Sequence, residues 1–176
     1  MSETAPEFSR IVRLDAIGRM QWPQKVEADA TECEALARRF GFSALDALAA
    51  QYSLTREGKT VMATGTITAH LSQPCIATGE PVAEALREDF AICFMPEEEE
   101  ATATPGEELE LDAEECDTLP YADGRIDIGE AIAETLALAV DPYPRSPGAD
   151  SFLREAGVLT EDQAGPFSAL AALRKK

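Results

Sequence analysis

Apolar and polar residues alternate with a period of two through much of the first half of the chain, the pattern of half-buried β-strands. Over 8–14, Phe8, Arg10, Val12 and Leu14 share one face, and Ser9, Ile11 and Arg13 the other. Ala50, Tyr52 and Leu54 alternate with Gln51, Ser53 and Thr55, and Glu57-Gly58 supplies a hairpin turn. Val61, Ala63, Ile67, Ala69 and Leu71 then alternate with Met62, Thr64, Thr66, Thr68 and His70. From 82 to 95, Leu86, Phe90, Ile92 and Phe94 point one way with Glu88, and Arg87, Asp89, Ala91 and Cys93 the other. The alanines of 44–50 and the first half of 82–95 fit a helix as well as a strand. Between the last two strands lies Cys75-Ile76-Ala77-Thr78-Gly79-Glu80-Pro81, with Gly79 expected at positive φ and Pro81 stiffening the exit.

Two segments switch to helical spacing. Over 31–40, Cys33, Leu36, Ala37 and Phe40 form the apolar stripe, with Gly41 as C-terminal cap and Arg38 and Arg39 facing the negative end of the dipole. Thr31-Glu32-Cys33-Glu34 reads as a capping box. In the second, Ile128, Ile132, Leu136 and Val140 recur every fourth residue, flanked by Ala131 and Ala139. Asp127-Ile128-Gly129-Glu130 is an aspartate version of the box, with Ile126 stapling the entry. Asp141-Pro142-Tyr143-Pro144 stops that helix. Trp22-Pro23 marks a loop, with Trp22 expected in the core.

These elements predict an α+β fold: an antiparallel, twisted sheet, barrel-like closure left open, packed by two main helices. Residues 1–149 are expected to form one domain carrying an acidic, mobile insertion at 97–119, followed by a tail at 150–176 with a short helix. A length of 176 residues and a hydrophobic share of 45% are enough for a core.

Charge sharpens the picture. The chain carries a formal −18, and eleven of its 33 acids fall between 97 and 117 with no Lys or Arg among them. Such a surface repels phosphate backbones and argues against direct RNA binding; it suits a basic protein partner, or serves only solubility. Glu97, Glu98, Glu99, Glu100, Glu107, Glu108 and Glu110 are the candidate partner-binding residues. No apolar run approaches the roughly 18 residues of a membrane span, so no membrane partner is expected. The acidic start, Met1-Ser2-Glu3-Thr4-Ala5-Pro6-Glu7, does not fit an export signal, which predicts a cytoplasmic protein whose four cysteines form no disulfide framework. Cys116 is expected to be exposed, and Cys33 to be a small core residue. His70, the one histidine, has no Cys or second His at ligand spacing. Glu130 and Glu134, one helical turn apart, could hold a divalent ion or share a proton, but without His or Asp partners a solvated helix face is the favoured explanation.

Several landmarks in order resemble the YceD family, bacterial and plastid proteins linked to accumulation of large-subunit ribosomal RNA. They are Phe8-Ser9-Arg10, then Cys75-Ile76-Ala77-Thr78-Gly79-Glu80-Pro81, then Phe90 through Pro96 before the acidic stretch. Next come Asp127, Gly129 and Glu134 leading to Asp141-Pro142-Tyr143-Pro144, and finally Pro166-Phe167-Ser168-Ala169-Leu170. The chain is most similar to the alphaproteobacterial branch. Many family members carry Cys-x-x-Cys at the central turn; here Thr78 stands at the second position, so no metal or other cofactor is expected. The resemblance implies a non-catalytic ribosome-biogenesis factor supporting synthesis, processing or stability of large-subunit (23S) ribosomal RNA. The charge suggests that it works through a basic ribosomal protein or a pre-ribosomal particle. The alternatives are a general acidic interaction or chaperone-like module, and a nuclease built on Glu130 and Glu134.

Overall fold

The computed structural model describes residues 6–97 and 117–158. In chain order the elements are β1 (Ile11–Arg13), a 3-10 turn (Ile17–Arg19), β2 (Gln24–Glu27), α1 (Ala30–Phe40), β3 (Ala44–Glu57) and β4 (Thr60–Pro74). They continue with β5 (Pro81–Pro96), β6 (Asp117–Tyr121), β7 (Arg125–Asp127), α2 (Ile128–Ala139) and α3 (Ala149–Glu155). The main sheet has the order β2-β3-β4-β5-β6, and β1 pairs with β7 in a separate two-stranded sheet. The main sheet is twisted and open rather than closed into a barrel, with β2 and β6 as its edges.

Long alternating strands produce this sheet. Gly58, at φ 60°, turns β3 into β4, and the register pairs Leu54 with Ala63 and Ala50 with Ile67. On the other side of β4, Ala63 pairs with Ile92 and Ala69 with Leu86. Both alanine-rich segments that fit either state are strand, with a bulge between Leu45 and Ala47. The pairing explains it: β4 is rich in β-branched residues, and its backbone groups are satisfied only by strands on both sides. The expected inward faces are buried together with Cys33, Leu36 and Ala37 of α1 and Ile128, Ala131, Ile132 and Leu136 of α2 in one core. Each such Leu or Ile contributes about 1.5–3 kcal/mol. The other face of the sheet holds Gln51, Thr66, Thr68, Arg87 and Asp89 around a shallow polar groove.

Several local expectations change. β1 is only three residues long, although Phe8, Val12 and Leu14 are all buried as the alternation requires. α1 starts earlier than the Thr31 box: Asp29 is the N-cap, accepting from the Glu32 amide at 2.9 Å while the Glu32 carboxylate accepts from the Asp29 amide at 2.9 Å. Arg10 favours this choice, because its guanidinium grips Glu32 at 2.7 and 2.8 Å. The Asp127 cap forms as expected, but Glu130 does not reach back to it; Arg39 takes both its oxygens, at 2.6 and 2.9 Å. Trp22 is partly buried against the core, 5.9 Å from the Tyr52 ring. The expected insertion lies mostly outside the described residues, as does Cys116, but its last three positions, 117–119, already belong to β6. β6 pairs parallel to β5, so the sheet is antiparallel except at this edge. The first residues of the expected tail, 150–155, belong to α3, which starts at Ala149, and the short helix near Phe167 and Ser168 lies outside the described residues.

α2 lies hard against the N-terminal segment: a Cβ on Gly129 would overlap the Phe8 carbonyl oxygen and come within 2.8 Å of the Arg10 nitrogen. Gly129→Ala is therefore expected to cost about 1–3 kcal/mol by overpacking. Urea denaturation checks this, and an unchanged midpoint would show that the two segments separate without loss.

Candidate functional site at the central turn

The turn between β4 and β5 is closed by Pro74 opposite Pro81. Within it, the Cys75 amide donates to the Glu80 carbonyl at 2.7 Å, and the Gly79 amide to the Cys75 carbonyl at 2.8 Å. Gly79 has φ 75°, as its position predicts, with open space where a Cβ would project. The Thr78 hydroxyl accepts from the Glu80 amide at 3.3 Å.

The turn docks onto the segment that follows α2. The Ile76 amide donates to the Pro144 carbonyl at 3.0 Å, and the Ser146 amide donates to the Cys75 sulfur at 3.2 Å. The Thr78 and Ser146 hydroxyls lie 3.2 Å apart. Beneath them, the Gln73 side-chain amide donates to the Asp141 carbonyl at 2.9 Å and to Glu84 at 3.0 Å, and Glu84 accepts from the Asp141 amide at 3.3 Å. The Asp141 carboxylate accepts from the Tyr143 amide at 2.9 Å, which shapes the run through Pro142 and Pro144. Two motif segments more than sixty residues apart thus make one surface. Sequence reasoning named Cys75, Thr78, Gly79, Glu80, Pro81, Pro142 and Pro144 but not their contact, and it missed Gln73, Glu84 and Ser146. Gln73 and Ser146 are the two buried polar residues among those described; no periodicity marks them, and Ser146 lies within a Pro-rich loop.

Cys75 is buried, only 3% exposed. The Ser146 N–H, then the Thr78 hydroxyl, lower its pKa from 9.0 to about 6, outweighing the opposing effect of burial. These donors favour the thiolate, with no second thiol taking part. Cys33 and Cys93 are buried elsewhere, and burial pushes the Cys33 thiol up. Among the described residues, no three His, Cys, Asp or Glu side chains come together as metal ligands.

The remaining candidates separate. His70 is exposed on the polar sheet face, opposite Ala47 and Ala85. Glu130 is committed to Arg39, which also binds Glu7 at 3.0 Å. Glu134 borders a small groove with Leu119, Thr135 and Leu138, and burial, then the Glu130 charge, raises its pKa. Asp127 and Gly129 belong to the α2 start. Glu97 is exposed beside Arg13, Arg56 and Tyr121, while Glu98, Glu99, Glu100, Glu107, Glu108 and Glu110 lie outside the described residues.

Among known proteins, a family described as large ribosomal RNA subunit accumulation protein YceD matches residues 63–174, which include both halves of the docked turn. No curated protein and no solved structure matches the chain.

Two outcomes follow from the turn. Gly79→Ala places an L side chain at φ 75° with no neighbour to strike, so backbone strain alone is expected to cost about 1 kcal/mol in thermal or urea denaturation; an unchanged stability would refute it. A thiol whose pKa falls on folding stabilises fully above its ordinary value of 9.0 and loses that contribution as pH drops to about 6. Wild-type protection of the 141–146 amides in hydrogen exchange should therefore rise between those limits more steeply than that of Cys75→Ser. Parallel curves would show that the thiolate contributes nothing to docking.

Proposed function

The chain belongs to the YceD family, and on that premise we propose that it is a non-catalytic ribosome-biogenesis factor supporting synthesis, processing or stability of large-subunit (23S) ribosomal RNA. The family match over 63–174 carries this reading. The proposal places the protein in the cytoplasm, where the ribosomal RNA is made. Among the described residues, no helix is long and apolar enough to cross a membrane. A non-catalytic role accords with the family's description as an accumulation factor and with the central turn, whose polar groups bond to one another.

The charge directs the mechanism toward protein rather than RNA. At −18 the chain repels a phosphate backbone and attracts a basic ribosomal protein, which it would hold until RNA displaces it. In a strain lacking the gene, the ratio of mature large- to small-subunit ribosomal RNA is expected to fall, and to recover with the full chain; an unaltered ratio overturns the proposal. Removing residues 98–116 should slow association with a ribosomal protein captured by the full chain and flatten its salt dependence, since screening acts over about 8 Å at physiological ionic strength. Equal salt slopes in stopped-flow association would leave the acidic stretch no part in recognition.

A further inference from the structure

The docked turn also presents exposed apolar side chains. Ile76 is 54% exposed and Tyr143 71%, and α3, on the same segment, adds Phe152 at 48%. The Ile76 amide bonds to the Pro144 carbonyl, and Pro144 follows Tyr143, so the two exposed residues sit on backbone segments joined by one hydrogen bond. The Ala149 amide, bonded to the Ser146 carbonyl, seats the first turn of α3 beside it. The rim is acidic. Glu80, Glu84 and Asp141 bond to Thr78, Gln73 and main chain, and among the described residues no Lys or Arg pairs with them. Arg145 is engaged with Asp150 at 3.0 Å, and the Arg154 side chain with the Asp150 carbonyl.

We propose that this face is a docking site for an amphipathic basic segment of a protein partner, whose apolar side chains cover Ile76 and Tyr143 while its cations meet Glu80, Glu84 and Asp141. Large apolar side chains held out in water mark contact surfaces, and tyrosine is among the residues that dominate binding energy. The hydrogen bonds that fix both segments lower the entropy lost on binding. Charge selects the occupant. An anionic lipid surface or a phosphate backbone would be repelled, and a second copy across a two-fold axis would set acidic rim against acidic rim. The inference rests on the proposed role in assigning the partner to the large ribosomal subunit, but it uses a surface distinct from the stretch at 98–116.

The probe is the set of proteins stripped by concentrated salt from purified large ribosomal subunits, added to the full chain and followed by hydrogen exchange. Protection should rise at 75–81 and 141–152. The Ile76→Ser/Tyr143→Ser double variant changes only exposed side chains, so it should keep the wild-type melting temperature while losing at least about tenfold in affinity; Glu80→Gln should weaken binding less and flatten its salt dependence. No binding, protection confined to other regions, or a double variant that binds like wild type would overturn the site. So would protection of these segments in the isolated chain that disappears on removing 159–176, because the chain's own end would then be the occupant. The RNA ratio in the gene-deleted strain is read alongside: a ratio that needs the chain but tolerates the double variant sinks this site and leaves the proposed function standing. A ratio indifferent to the chain, with the patch still binding the probe, sinks the function and leaves the site.

Discussion

The Asp127 carboxylate is the joint on which the arrangement of helices and strands depends. It accepts from the Ser9 hydroxyl at 2.5 Å, the Arg10 amide at 2.7 Å, and the Gly129 and Glu130 amides at 3.1 and 3.2 Å. Two of those donors belong to the start of α2, where the helix dipole also favours a negative group. The other two belong to the N-terminal segment, whose Phe8 is fully buried. Arg10 carries the connection on to Glu32, one arm of the α1 capping box, and Arg39 at the far end of α1 returns to Glu130. Both helices are thus pinned by charge-assisted bonds to a short segment of chain, and the close approach at Gly129 is the steric counterpart of that electrostatic joint.

With α2 placed, its C-terminal end decides where Asp141–Ser146 runs, and so what the β4–β5 turn can meet. Gln73 and Glu84, on the two strands just before and after that turn, bind the main chain at Asp141. The family match takes in Asp127 and α2 but leaves out the N-terminal segment and α1 to which they are pinned, whereas the turn and its docked segment lie wholly within it. On that division, the N-terminal joint orients α2, and the turn builds the surface proposed to meet a partner.

The long central strands β3, β4 and most of β5, the two main helices, the core and the positive φ of Gly79 were legible because each depends on local periodicity or turn chemistry, whereas the short strands β2 and β7 carried no such signal. The misreadings occur where the deciding residue is distant. Asp29 and Thr31 both offer a cap three residues before a glutamate, and Arg10, far away in sequence, settles the choice by holding Glu32. The same holds for Glu130, which Arg39 draws out of its expected box. Residues 117–119 read as the end of the mobile insertion; they belong to β6, which also holds Pro120, tolerated because β6 is an edge, where a missing N–H costs nothing. The docking of Cys75 on Ser146 spans 71 residues and left no periodic trace.

That Thr78, and not a second cysteine, stands three residues after Cys75 gains a physical meaning from that docking. A pair of thiols would concentrate negative charge and call for a metal or an oxidant to hold it. Here a single sulfur faces donors that favour its thiolate: the Ser146 N–H at 3.2 Å and the Thr78 hydroxyl. Thr78 has one proton to give among Cys75, Glu80 and Ser146, and the Ser146 hydroxyl 3.2 Å away can donate to Thr78 in turn, freeing that proton for the sulfur. The arrangement satisfies its own charge from neutral groups of the same chain. Among the described residues no Lys or Arg pairs with the carboxylates of Glu80, Glu84 and Asp141, and that negative charge, with exposed Ile76 and Tyr143, is what the proposed basic, apolar partner would meet.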